Sequence, residues 1–431
     1  FAGYQAKFFG WPGMYTANPA SLETENLKTR LFAINHQQQY GEGSEIELTA
    51  YHRKHKDHFV LTRTNPTLYE AFHVTKILSL GIAGRHAFSK SFALKYSAQF
   101  TGDEIDSEDF YNGTPLGGLE RGKFQSRSYQ KVGIIPEYNF QFNDAEKITL
   151  RAGASFDDTN RDESELSALF DLTWERYRTN GGVDSIYLSY AESSQVAGYT
   201  AIGGGTPDET DPTGNQPRFA SNPFLEREIS KNLELGLSIK RSDWSFETAI
   251  FHRWDDNLAD WVYLKTRNSA RTATNVDIRN WGFELIGTKN IGQIQALISY
   301  THLNKDEDYS DAEDDAATFY VVPAGTFTGG VSSFYALNYA KHRFTLGAIW
   351  TPSEIFQFRI DNEWRENEDN NIRRGSDSAL FTHFGLSIYP PQFKNMELFF
   401  AIDNAWDDDF QDVPGTPGRG DQYSAGLTYS W

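Results

Sequence analysis

Two acidic stretches hold the densest chemistry in this sequence. Asp103, Glu104, Asp106, Glu108 and Asp109 lie close together, and the run Asn304–Asp315 reads NKDEDYSDAEDD. Carboxylate oxygens at that density can hold calcium, which takes six to eight hard oxygen ligands. Neither stretch has EF-hand spacing, so Asp103, Asp106 and Asp109 are candidates for a structural calcium in a loop, with a solvated charge run as the alternative. A fainter constellation is His383 with Ser387, which alternate onto the polar face of one strand. A hydrolase needs at least such a pair, but two residues share a strand face often by chance. No HExxH, GxSxG or P-loop motif is present, and the sequence is expected not to be an enzyme.

Aromatic side chains in polar stretches are the better binding candidates. They are Trp11 and Tyr15, Phe110 and Tyr111, Trp261 and Tyr263, and Phe319, Tyr320 and Phe327. Rings on loops above a rigid scaffold can stack on an aromatic chelate, a corrin or a sugar. The competing reading is that they pack one loop against another.

The elements that must position these residues read as strands. Helical periodicity is nearly absent and period-two alternation recurs along the chain. Phe356, Phe358, Ile360 and Trp364 share one face, opposed by Gln357, Arg359, Asp361 and Glu363. Leu398, Phe400 and Ile402 are opposed by Glu397, Phe399, Ala401 and Asp403; Phe344, Leu346, Ala348 and Trp350 by Arg343, Thr345 and Gly347. A soluble sandwich also alternates, but its strands are usually shorter than these.

The connections decide between the two. Short turns at Gly41–Ser44, Ser89–Ser91, Asn143–Glu146, Arg241–Asp243 and Pro352–Glu354 alternate with long polar stretches. Those are Asp103–Gly122, Gln195–Pro223, Asp255–Thr274, Asn304–Phe334, Glu366–Ser378 and Asp407–Gly420. A transmembrane barrel of the outer-membrane type has tight turns at one end and long loops at the other. Counting this way gives roughly seventeen long strands from Glu25 onward, preceded by the tail of another around Phe1–Phe9. The expected fold is an all-β, antiparallel transmembrane β-barrel occupying residues 1–431.

Composition agrees. Aromatics make up 15% of the 431 residues, Cys is 0, and the formal net charge is -19. Absent cysteine suits an oxidising compartment such as a bacterial envelope, and the acidity argues against a nucleic-acid partner. Trp350, Tyr389, Tyr429 and Trp431 stand at the ends of apolar faces, where amphipathic rings meet lipid headgroups.

Specific segments resemble TonB-dependent outer-membrane receptors. After IYLSYAESSQVAGY, the residues Asn222, Pro223, Leu225, Glu226, Glu228, Ser230, Glu234 and Gly236 match one family segment, with Arg227 departing from it. Asn275, Ile278, Gly282 and Glu284 match a second. Asn404, Trp406, Asp407, Phe410, Gly418, Arg419, Tyr429 and Trp431 match the terminal signature. In order and spacing these cover roughly the last two hundred and fifty residues. The stretch GYQAKFFGWPGMYT is similar to the vitamin B12-receptor-like branch.

The resemblance implies a barrel of about twenty-two strands around an N-terminal plug. About seventeen to eighteen of those strands are expected in this chain, with the plug and the first strands not in it. It implies an active transporter or receptor in the bacterial outer membrane for a scarce bulky nutrient: a ferric siderophore, cobalamin or similar chelate. A passive porin or specific diffusion channel is the alternative. No cofactor is expected beyond calcium in the loops. Expected partners are the TonB–ExbB–ExbD energising complex, the barrel-assembly machinery, and outer-membrane lipid with lipopolysaccharide. By the same resemblance Tyr429 and Trp431, on a final strand whose Tyr423, Ala425, Leu427, Tyr429 and Trp431 face lipid, serve as the assembly signal.

Overall fold

In the computed structural model, residues 1–10, 20, 22–107, 125–203, 219–222, 224–264, 267–308, 331–333, 339–370, 372–393 and 395–430 are described. The strands are β1 (Ala2–Gly10), β2 (Thr24–Gln39), β3 (Glu45–Val60), β4 (Glu70–Ala87), β5 (Phe92–Ser107), β6 (Ser126–Asn143) and β7 (Glu146–Thr159). They continue as β8 (Glu165–Tyr177), β9 (Val183–Gln195), β10 (Phe219–Ala220), β11 (Glu228–Lys240), β12 (Trp244–Leu264), β13 (Arg267–Ile291) and β14 (Ile294–Asp308). The last are β15 (Val331–Ser333), β16 (Ala340–Trp350), β17 (Phe356–Asn367), β18 (Ser378–Ile388), β19 (Met396–Asp403) and β20 (Gln422–Tyr429). One short helix, α1 (Tyr199–Gly203), lies between β9 and β10.

Eighteen of these strands form a single antiparallel wall in chain order. The two short ones lie on it as additions: β10 pairs parallel with β13, and β15 antiparallel with β12. Among the described residues β1 and β20 each have one neighbour and do not pair with each other. No helix among them is long and apolar enough to cross a membrane.

The register aligns the apolar residues of every strand on one face. Leu48, Ile82, Ala98, Val132, Phe156 and Leu166 lie side by side across β3 to β8. Leu172, Leu188, Leu235, Ile250 and Phe283 continue the belt across β8 to β13. Most of these large side chains are exposed, which in water would be an adverse surface. Against acyl chains it is the favourable one.

The opposite face is polar and many of its charges are paired. Glu137 on β6 is buried between Arg85 at 2.7 Å and Arg151 at 2.8 Å, and Arg151 also reaches Asp171 at 2.6 Å. Next along the wall, Lys147 pairs with Glu175 at 2.7 Å and the Tyr187 hydroxyl donates to Glu234 at 2.6 Å. A carboxylate so placed is stabilised only while its cations stay, so this face is a ladder of mutually dependent pairs.

The five short turns read from the sequence all lie between consecutive strands, at one end of the wall. At the other end the connections are longer, with two exceptions: β7 and β8 are joined by residues 160–164, and β12 and β13 by residues 265–266. One expectation is overturned there: Asp255–Thr274 is not a loop. β12 and β13 run on as a paired ribbon up to Leu264↔Arg267, past a bulge at Asp255/Leu258. Asn257 takes φ 59 at that bulge, a left-handed conformation that asparagine tolerates.

A candidate binding crown at the loop end

The β12–β13 ribbon is the mast of the crown, and the residues that matched the family segments brace it. Asn275 accepts the Glu226 amide at 2.9 Å and donates to the Asn257 carbonyl at 2.6 Å. Asn257 donates its side-chain amide to Glu226 at 3.0 Å and its backbone amide to Asp277 at 2.9 Å, while Glu228 accepts the Ala259 amide at 3.1 Å. Together they close the backbone groups that the bulge leaves open.

Two glycines of the same segments admit aromatic rings. A Cβ on Gly236 would lie 2.2 Å from the Tyr187 ring, and one on Gly282 2.3 Å from that of Phe251. Only glycine permits a ring to lie flat on the neighbouring strand in this way.

The terminal signature closes the loop between β19 and β20. Asn404 donates to the carbonyls of Asp408 at 2.8 Å and Arg419 at 2.7 Å and accepts the Asp408 amide at 3.1 Å. Gly418 lies against the Asp409 backbone, where a Cβ would meet a carbonyl oxygen at 2.3 Å. Phe410 is buried edge-on against Phe381, below the guanidinium groups of Arg365 and Arg373. Trp406 donates its indole N–H to Thr382 at 2.7 Å.

Arg227, the departure from the family segment, has a partner of its own. Its buried guanidinium pairs with Asp157, bonds Ser194 at 2.9 Å and donates to the Glu163 carbonyl at 2.6 Å. It thereby ties the segment before β11 to β7 and to the connection after it.

The expected site residues divide sharply. Tyr263 is fully buried and packs on Ile372, with Val413 beside them. Trp261 is half-buried against Ala197, Ala201, Ile202 and Ala273. Trp11, Tyr15, Tyr111, Tyr320 and Phe327 lie outside the described residues, as do Asp109 and Trp431. Asp103 and Asp106 point to opposite faces of β5: Asp106 stands opposite Val74 on the apolar side, and Asp103 lies on the polar side. The structure therefore does not bring those two carboxylates together. Tyr429 lies with Tyr423, Ala425 and Leu427 on the lipid face of β20. His383 and Ser387 share the polar face, but each is engaged with a different acid, Asp403 at 3.1 Å and Glu397 at 2.6 Å.

Asp103 instead anchors a cluster that the sequence did not single out. Arg127 grips both its oxygens at 3.0 and 2.8 Å and donates to the Ala197 carbonyl at 3.1 Å. The Tyr199 hydroxyl donates to Asp103 at 2.5 Å, and Arg127 stacks over the Tyr199 ring at 4.0 Å. Arg161 lies 5.9 Å from the same ring, and Tyr129 5.6 Å from Arg127. Burial first, then the bond to Asp103, push the Tyr199 hydroxyl well above its ordinary range, so it stays a donor. Two arginines and two tyrosines against one carboxylate leave the cluster net positive with aromatic faces. Its members are spread over ninety-six positions of sequence between Asp103 and Tyr199, so no local motif signals it.

The TonB-dependent receptor-like β-barrel family model matches residues 2–405. The chain belongs to this family. Among solved structures, the receptor barrel is similar to the ferric enterobactin receptor of Pseudomonas aeruginosa, with TM-score 0.66 and 14% identity over 100% of this chain and 67% of that one. It is also similar to the FrpB iron transporter of Neisseria meningitidis, with TM-score 0.68 and 12% identity over 99% and 67%. The siderophore receptor PirA of P. aeruginosa gives TM-score 0.61 at 12% identity over 95% and 65%. The receptor barrel thus spans somewhat less than two thirds of the PirA chains of P. aeruginosa and Acinetobacter baumannii. No curated protein matches it in sequence.

Proposed function

We propose that the intact protein is an active TonB-dependent importer in the bacterial outer membrane, energised by the TonB–ExbB–ExbD complex and inserted by the barrel-assembly machinery. Its cargo is a scarce bulky chelate, and a ferric siderophore fits better than cobalamin. The observation that carries this reading is the match of the family's barrel model to residues 2–405. Receptors for siderophores, iron and copper among the similar folds support it. The Arg127–Tyr199–Arg161 cluster supports an anionic aromatic ligand, since guanidinium groups and rings serve such a chelate together.

The test is uptake of labelled ferric enterobactin and of labelled cobalamin by cells whose only receptor is the full-length protein, with and without TonB. Uptake of the ferric chelate that requires TonB, and drops at least tenfold with Arg161→Ala, is the expected result. Entry that proceeds equally without TonB would establish a passive channel instead.

A further inference from the structure

We propose that the outer wall of β2 and β3 binds a lipid headgroup carrying two phosphates, of the bisphosphorylated glycolipid kind, through Lys28, Arg30, Lys54 and Lys56. The proposal rests on the outer-membrane reading above.

Alternation places these four on the same face as the apolar belt. On β2, going toward the loop end, that face reads Ile34, Phe32, Arg30, Lys28; on β3 it reads Leu48, Ala50, His52, Lys54, Lys56. The change from apolar to basic occurs together on neighbouring strands, because Arg30 stands opposite Lys54, and Lys28 opposite Lys56. Lys54 in turn faces Lys76 on β4, just above Leu78 and Leu80. Adjacent strands lie about 4.8 Å apart and alternate residues about 6.8 Å. The backbone positions of the four cations therefore mark out a patch of about 5 by 7 Å, directly above lipid-facing side chains.

Like charges set directly opposite repel, and no carboxylate relieves them. On this face of β4 and β5, Glu104 is taken by Lys76 and Glu70 by His58 at 3.0 Å, while Asp106 stands opposite Val74. Asp57, Glu25 and Glu47 alternate onto the polar face. None of the four cations has an ion-pair partner among the described residues. Elsewhere on the lipid face basic residues meet acids: Lys231 pairs with Asp256 at 2.8 Å, and Arg279 stands opposite Asp306. In a chain of net charge -19, this concentration calls for an external anion.

The position selects that anion. Lysine and arginine stems can lie along the wall and carry their charges to the headgroup level. A ligand with acyl chains below and phosphates above meets both the belt and the patch, and two rows of paired cations suit two phosphates. A free phosphate would meet the charges alone.

Full-length protein in maltoside micelles would be titrated with bisphosphorylated lipid A, monophosphorylated lipid A, phosphatidylglycerol or inorganic phosphate, with bound lipid counted by native mass spectrometry. The variant with Lys28→Gln, Arg30→Gln, Lys54→Gln and Lys56→Gln is compared with Lys289→Gln, which alters a lipid-face lysine at the turn end. Circular dichroism checks that both retain strand content. Expected are preference for the bisphosphorylated lipid, at least tenfold loss in the quadruple variant, and no loss in Lys289→Gln. Binding within twofold of the parent in the quadruple variant, phosphatidylglycerol binding as well, or inorganic phosphate displacing lipid at millimolar level would overturn the proposal. TonB-dependent uptake with no lipid preference would fell this inference alone. A lipid preference without uptake would fell only the transport reading.

Discussion

Two stretches of the outer wall meet the headgroup zone by opposite means. On β2–β4 the first polar layer above the apolar belt is Arg30 and Lys54, two unpaired cations set opposite each other, with Lys76 beside them held by Glu104. On β12–β17 the same layer is aromatic and imidazole. There Trp281 lies 5.1 Å from His302, His302 4.7 Å from His342, and His342 6.4 Å from Trp364, with the Tyr300 hydroxyl 2.8 Å from His342. Flat amphipathic rings are at ease in any headgroup layer, whatever its charge. Unpaired cations are at ease only where the lipid brings phosphate. One side of the wall is therefore indifferent to lipid identity, and the other is selective.

The largest effect should come from below both layers. A lysine at Leu80 on the cationic side or at Leu346 on the aromatic side, both exposed to the acyl region, should each cost about 2–4 kcal/mol in denaturant unfolding from bilayers. At Phe72, nearer the loop end, the cost should fall to about 0–1 kcal/mol. Unequal costs at the two mid-wall positions would mean that the contrast is not confined to the headgroup layer. Next, Trp281→Ala and Trp364→Ala should each lose about 1 kcal/mol, equally in neutral and anionic bilayers; dependence on lipid charge would erase the distinction. Smallest, and most telling, is the sign of Lys54→Ala. In uncharged micelles it should stabilise by about 0.2–1 kcal/mol, because it removes a cation set opposite Arg30 and Lys76. With bisphosphorylated lipid present it should destabilise, and molar salt should shrink both effects by screening.

Alternation in the sequence is enough to place Phe356, Phe358, Ile360 and Trp364 on lipid and Asp361 with Glu363 inside, and the register agrees. The turns at Gly41–Ser44 and Asn143–Glu146 were legible for a similar reason: Asn143, for one, caps its own turn through a bond from the Ala145 amide at 2.9 Å. Asp255–Thr274 was misread because polarity marks where lipid ends, and strands need not end there. β12 and β13 keep their ladder well beyond the belt. Similarly, β5 continues through Asp103 to Ser107. The crown was legible only as motif residues without roles. Asn275 and Asn404 proved to be backbone braces, a task that depends on distant partners. The Arg127–Tyr199 cluster, assembled across the loops, left no spacing to read.

Arg227 has an evolutionary consequence. With its guanidinium removed, Asp157 would be left as a buried charge with no cation to answer it, a loss of about 3–5 kcal/mol in comparable settings. A lineage therefore cannot exchange either residue alone without passing through a weakened intermediate. Positions 157 and 227 should vary as a linked pair among descendants of this chain, and a descendant with proline at 227 should carry an uncharged residue at 157.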